Sequence, residues 1–119
     1  MIRELKTSDI MINGDSTVIK SISKPAILLV WAQWCGYCTR FKPVYNELDQ
    51  RLNGGIEVLA LEDKQITNAK MANAIGVQGY PTIKFVNDSG VIVADYKGDR
   101  SIQDLLNHIC KFYHYCVSN

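Results

Sequence analysis

Long apolar runs are absent from this chain: the longest is the seven residues 26–32, far short of the roughly twenty that cross a bilayer. Blocks of like charge, internal repeats and low-complexity stretches are absent too, so nothing reads as a charged interaction tail or a solenoid. Thirteen basic residues against twelve acidic ones leave a formal net charge of +1. That balance gives no electrostatic footprint for nucleic acid and none for an anionic membrane, so neither is an expected partner. The opening Met1-Ile2-Arg3-Glu4-Leu5-Lys6 alternates charged and apolar residues and lacks the pattern of a secretory leader. The closing Val117-Ser118-Asn119 is no ER-retention signal. The expected location is therefore the cytoplasm, where a close cysteine pair is catalytic rather than structural. Cysteine itself is sparse, at four in 119 residues. A chain of this length builds a core without disulfide staples, as one domain over residues 1–119.

What is present centres on residues 31–38, Trp-Ala-Gln-Trp-Cys-Gly-Tyr-Cys. The run Ala26-Ile27-Leu28-Leu29-Val30-Trp31-Ala32 is short, unbroken and apolar, the pattern of a strand buried on both faces. Behind it Phe41, Val44, Tyr45, Leu48 and Leu52 recur at helical spacing. The cysteines thus fall where a central strand hands over to a helix. Cys35 lies at or just before the first turn, where backbone N–H groups lack partners and the helix dipole favours negative charge. A thiolate gains on both counts, so the Cys35 pKa should be lowered. Cys38 lies one turn deeper, within reach of Cys35. The pair reads as a dithiol that opens and closes.

Along the chain, residues 2–12 predict a first strand. Asn13-Gly14-Asp15 is a turn signal, and Asp15 or Ser16 is placed to cap a short helix carrying Val18, Ile19 and Ile22. Strand 26–32 and helix 35–53 follow, the helix closed by Gly54-Gly55. Residues 56–61 predict a strand parallel to 26–32, because a helix separates the two. A helix over 67–75 stops at Gly76. Strands 82–86 and 91–96 flank the hairpin signal Asn87-Asp88-Ser89-Gly90. Ser101-Ile102-Gln103-Asp104 opens a last helix with Ile102, Leu105, Leu106, Ile109 and Tyr113 on one face.

WCGYC after an apolar strand resembles the active site of the thioredoxin superfamily. Pro43, five residues after Cys38, matches the proline inside that family's active-site helix. Gly79-Tyr80-Pro81-Thr82 resembles its cis-proline loop, and Lys97-Gly98 its late glycine before the last helix. Residues 79–85, Gly-Tyr-Pro-Thr-Ile-Lys-Phe, are closer to the redox domains of protein disulfide isomerases than to bacterial thioredoxins. The resemblance spans nearly the whole chain. It implies an α/β thioredoxin fold, a central mixed β-sheet flanked by helices on both faces.

The activity implied is thiol–disulfide exchange with protein disulfides. Cys35, expected to be exposed, is the nucleophile, and Cys38 resolves the mixed disulfide. Trp34, Gly36, Tyr37, Tyr80, Pro81 and Gly98 are expected to form the substrate surface. No cofactor is implied beyond the redox-active disulfide Cys35–Cys38, and no metal. The expected electron donor is a dithiol or thiol reductant, a thioredoxin-reductase-like enzyme or glutathione. Leu29 departs from the pattern: the family buries an Asp or Glu there, thought to pass protons to and from the resolving thiol, and no Lys stands near Leu59. A binding module with little turnover is therefore a second reading, and a disulfide isomerase or oxidase a third. The tail carries His108, Cys110, His114 and Cys116. Within a helix His108 and Cys110 point about 200° apart, which argues against a metal site. A Cys110–Cys116 disulfide is the better special reading, but the expectation is a half-buried helix thiol and a frayed polar tail.

Overall fold

A computed structural model describes residues 1–117. Its main sheet has five strands in the order β1-β5-β4-β6-β7. These are β1 (Arg3–Glu4), β4 (Ala26–Trp31), β5 (Glu57–Glu62), β6 (Thr82–Val86) and β7 (Ile92–Asp95). A separate hairpin comprises β2 (Ile10–Asn13) and β3 (Ser16–Ile19). The helices are α1 (Gly36–Leu52), α2 (Ala69–Ile75) and α3 (Ile102–Tyr113). β1, β5 and β4 run parallel, whereas β6 and β7 are antiparallel additions at the other edge.

β4 is central because it can be buried on both faces. Ile27 and Leu29 pack under α1 and α3, against Phe41, Tyr45, Leu105 and Ile109. Ala26, Leu28 and Val30 face the opposite side, against Met71 and Ile75 of α2 and Ile19 of the hairpin. Two tyrosines tie strands together through their hydroxyls. Tyr45 donates toward the carbonyls of Ile27 and Leu59, and Tyr113 toward those of Ala26 and Val86. The helix ends follow their local chemistry. Asn68 and Ser101 side chains cap α2 and α3, while Asn53 and Gly76 close α1 and α2 in left-handed conformation.

Three expectations fail. The helix placed after Asp15 is strand β3, paired residue for residue with β2 across the Asn13–Ser16 turn. Gly14-Asp15 is a two-residue hairpin loop as well as a loop signal, with Gly14 at positive φ in its first position. The run Thr17-Val18-Ile19 is β-branched and alternates, with Thr17 and Ile19 buried and Val18 less so. Likewise residues 2–12 hold two short strands separated by a 3-10 turn, not one.

The tail is the third. Cys110 and Cys116 are joined as a disulfide, in place of the free helix thiol expected. α3 ends at His114 in left-handed conformation, which turns the chain back and returns Cys116 to the helix. Tyr115 is thereby laid on the end of α1: its hydroxyl donates to the Leu52 carbonyl at 2.8 Å. A Cβ on Gly55 would stand only 2.1 Å from that ring, so the close approach needs glycine. The expected fraying covers Ser118 and Asn119 as well, which lie outside the described residues. Closing so short a loop contributes about 2 kcal/mol by chain entropy. The Cys110→Ser/Cys116→Ser variant should therefore unfold at lower urea than the oxidised parent, by about that free energy. An unchanged midpoint would mean that the bridge restrains nothing the folded chain does not already hold.

Candidate active site

β4 delivers the chain to Ala32, and Gln33-Trp34 turn it into α1. Cys35 becomes the N-cap: its sulfur accepts the Cys38 backbone N–H at 3.2 Å, one of the donors that a helix start leaves unpaired. On its other side the sulfur lies 3.5 Å from the Tyr80 carbonyl oxygen. The Tyr80–Pro81 peptide is cis. Cys35 and Cys38 are both free thiols.

The two thiols are pushed in opposite directions. Cys35 is held below the ordinary thiol range, first by the Cys38 thiol hydrogen-bonding to its sulfur. Burial opposes this, while the backbone N–H groups of Cys38 and Tyr37 and the charge of Arg100 add to it. The helix start thus contributes, but the neighbouring thiol contributes most. Cys38 is pushed up to about 11, chiefly by burial and then by the hydrogen bond and charge of Cys35. Alkylation of the reduced protein should therefore modify Cys35 first, with a rate that rises with pH below the range of a free thiol. Cys38 should resist until the pH approaches 11. Modification of Cys38 first near neutral pH would reverse the assignment.

Cys35 is less open than expected, at 6% exposure against 1% for Cys38. Trp31 and Tyr80 pack against the cluster that Cys35 forms with Ala32 and Cys38. Trp34 is 72% exposed, so it is no core residue; its indole N–H donates to Asp63 Oδ2 at 2.9 Å, and its ring meets Tyr80 edge-on at 5.5 Å. Tyr37 projects into solvent between the cysteines, with the guanidinium of Arg40 4.8 Å and that of Arg100 5.4 Å from its ring centre. Gly36 opens α1, and a Cβ there would make only an ordinary contact at 3.7 Å. Gly98 differs: a Cβ would stand 2.3 Å from Asp104 Oδ2 and 2.6 Å from the Tyr96 hydroxyl. Those two groups hydrogen-bond each other, and Asp104 also accepts the Asp99 N–H. Gly98 therefore lets the loop carrying Arg100 close over this network.

The fold brings together Trp34, Cys35, Tyr37, Cys38 and Tyr80-Pro81, with Gly98 bordering the cleft beside Pro81. Three neighbours of the site went unread in the sequence: Arg40, Arg100 and Asp63. Arg40 stands three residues after Tyr37 on one helical face, a spacing that carries the signal. Arg100 and Asp63 arrive from distant loops, and nothing local marks them. In the tail His108 turns to Asp104 and packs edge-on to Tyr96. Cys110 and Cys116 bond to each other, so the four do not converge as a ligand set. Among the described residues, no helix is long and apolar enough to cross a membrane.

Leu29 is buried under α1, and its register partners are Ala60 on β5 and Ile83 on β6. No carboxylate or lysine occupies either neighbouring position. A cleft of about 270 Å³ reaches Leu29 from the outside, lined also by Glu4, Trp31, Lys42, Tyr45 and Asn46.

Comparison with known proteins agrees with this geometry. The protein-family model described as Thioredoxin matches residues 12–111. Protein disulfide-isomerase erp38 of Neurospora crassa is 37% identical over 101 residues, which cover 83% of this chain and 27% of that protein. Protein disulfide-isomerase tigA of Aspergillus niger is 34% identical over 98 residues, covering 82% of this chain and 27% of that protein. The chain thus spans about a quarter of the length of these relatives. The J-Trx1 fragment of ERdj5 shares the fold, with a TM-score of 0.71 at 18% identity over 95% of this chain and 52% of that one. A dithiol at the start of α1, a mixed sheet behind it and a family match over most of the chain lead to one assignment: this chain belongs to the thioredoxin family.

Proposed function

We propose that the chain reduces protein disulfides through Cys35 and Cys38. The Cys35 thiolate attacks one sulfur of the substrate disulfide, forming a mixed disulfide and releasing one substrate thiolate, which takes up a proton. Cys38 then loses its proton and attacks Cys35 Sγ; the second substrate thiol leaves, and the Cys35–Cys38 disulfide remains. Two electrons have passed to the substrate. A thiol or dithiol reductant, glutathione or a thioredoxin-reductase-like enzyme, restores the dithiol. The observation that supports this most is the Cys35 sulfur itself. It is stabilised as a thiolate by Cys38 and lies 3.5 Å from the Tyr80 carbonyl, beside backbone on which an extended substrate strand pairs. Trp34, Tyr37 and Pro81 supply the surrounding contact surface in this reading, with Gly36 and Gly98 leaving the backbone open.

Reduction of insulin disulfides in the presence of dithiothreitol tests it. Catalysed precipitation of the insulin B chain is the expected result, and a rate equal to that of dithiothreitol alone rejects turnover. That negative outcome is what the second reading predicts, a binding module with little turnover, and the apolar setting of Leu29 favours it. The names of the relatives favour isomerase work, which a glutathione titration of the Cys35–Cys38 potential separates from net reduction. The compartment is tied to the tail. In a glutathione-buffered cytoplasm the solvent-facing Cys110–Cys116 bridge opens, and in an oxidising compartment it closes.

A further inference from the structure

Two clefts lie at the edge of the site, one at Tyr37 and one at Pro81, and cations line both. One, of about 210 Å³, lies between Tyr37, Arg40, Phe41, Val44 and Arg100. The other, of about 280 Å³, runs from Pro81 past Thr82 and Lys84 to Lys97, Gly98 and Arg100. Arg100 is shared by both. Among the described residues neither Arg40, Lys97 nor Arg100 forms an ion pair; the two guanidiniums rest on the Tyr37 ring instead. The carboxylates nearby keep their charge but make their contacts elsewhere. Asp95 holds Lys84, Asp104 accepts from the Tyr96 hydroxyl and the Asp99 N–H, and Asp63 accepts from the Trp34 indole. Asp99 is the exposed exception. Three cations without an ion-pair partner among the described residues therefore line these clefts, and their guanidinium and ammonium donors are open to a substrate carboxylate.

We propose that this face selects disulfides carried on acidic peptide segments. Carboxylates flanking the substrate cystine dock on Arg40 and Arg100, which share the Tyr37 ring, and on Lys97 in the neighbouring cleft. The inference rests on the exchange reaction proposed above and specifies its substrate class. The reaction is unchanged: two electrons and two protons leave the Cys35–Cys38 dithiol, the substrate S–S bond breaks, and two substrate thiols form. Arginine suits the task, since its planar fork binds a carboxylate in bidentate fashion while its face stays on the tyrosine. Each exposed pair contributes little alone. Several acting on one extended segment give discrimination, and that discrimination must fall with salt.

The test uses two peptides of equal length, each closed by one disulfide, with glutamates flanking the cysteines in one and lysines in the other. At low ionic strength the reduced protein should show a kcat/KM about tenfold higher for the glutamate peptide, and the ratio should approach one at about 0.5 M salt. The Arg40→Glu/Arg100→Glu variant, changed only at exposed positions, should reverse the order. Equal rates on the two peptides, or a lysine preference in the parent, overturn the inference. A protein that reduces neither peptide refutes the exchange reading instead, and selection is then read from binding. The Cys35→Ser variant should hold the oxidised glutamate peptide about tenfold more tightly than the lysine one, and equal affinities overturn the inference on that route.

Discussion

Cys35→Ser is expected to abolish disulfide exchange, whereas Cys38→Ser is expected to accumulate a stable covalent adduct with substrate. The asymmetry comes from the helix start. Cys35 caps α1 with its sulfur, accepts the Cys38 N–H, and lies beside the Tyr80 carbonyl. Cys38 is 1% exposed, with its thiol pushed up to about 11. At pH 7 only about one Cys38 in ten thousand is then a thiolate, too few and too covered to open an external disulfide. After Cys35 has been spent in a mixed disulfide, however, Cys38 is the one nucleophile held within a helical turn of it. Removing Cys38 therefore stops the reaction halfway, and removing Cys35 prevents it from starting. Non-reducing electrophoresis with a disulfide-containing protein such as insulin distinguishes the two. A trapped adduct with Cys35→Ser and none with Cys38→Ser would exchange the roles of the thiols.

The geometry behind this expectation was largely legible in the sequence because its causes are local. An apolar run of seven residues followed by helical spacing fixes where a strand meets a helix, and WCGYC falls on that junction. The hairpin 82–96 was equally readable from Asn87-Asp88-Ser89-Gly90 between two apolar runs. Local signals misled where they served two structures. Asn13-Gly14-Asp15 followed by Val18, Ile19 and Ile22 suits a capped helix or a hairpin arm, and burial of Thr17 and Ile19 against α2 decides for the strand. The surroundings of the site were hidden for a different reason. Arg100 reaches Tyr37 only after α3 docks and Gly98 lets its loop close, and Asp63 reaches Trp34 from the end of β5. The tail bridge depends on chain reversal at His114, a non-glycine residue in left-handed conformation that no spacing rule announces.

Leu29→Asp is expected to lower stability and raise the rate of resolution together. The position lies between Ala60 and Ile83 in the sheet and under Phe41 and Tyr45 of α1. A leucine there packs with no polar group to satisfy, whereas a carboxylate must be neutral, hydrogen-bonded or paired. Loss of apolar packing and desolvation of the acid together should cost about 2–5 kcal/mol. The lower part of that range applies if the new carboxylate reaches Lys42 or water through the cleft that already touches residue 29. A domain of ordinary stability, about 5–15 kcal/mol, remains folded after such a loss. The rate should move the other way. In the mixed disulfide Cys35 carries no charge, so burial is what keeps the Cys38 thiol above its ordinary range, and the acid in the cleft at Leu29, Glu4, stands two strands away in register with Ala60. An aspartate at residue 29 supplies a proton acceptor, as the thioredoxin resemblance implies, so release of the mixed disulfide should accelerate most at neutral pH, where the Cys38 thiolate is scarcest. Packing alone predicts a weaker protein with an unchanged or slower reaction. Urea midpoints for both proteins, paired with stopped-flow release of a preformed mixed disulfide over about pH 6–9, separate the two accounts. A destabilised variant with no faster release would mean that Leu29 is only core, and that Cys38 gives up its proton directly to water or to the departing substrate thiolate.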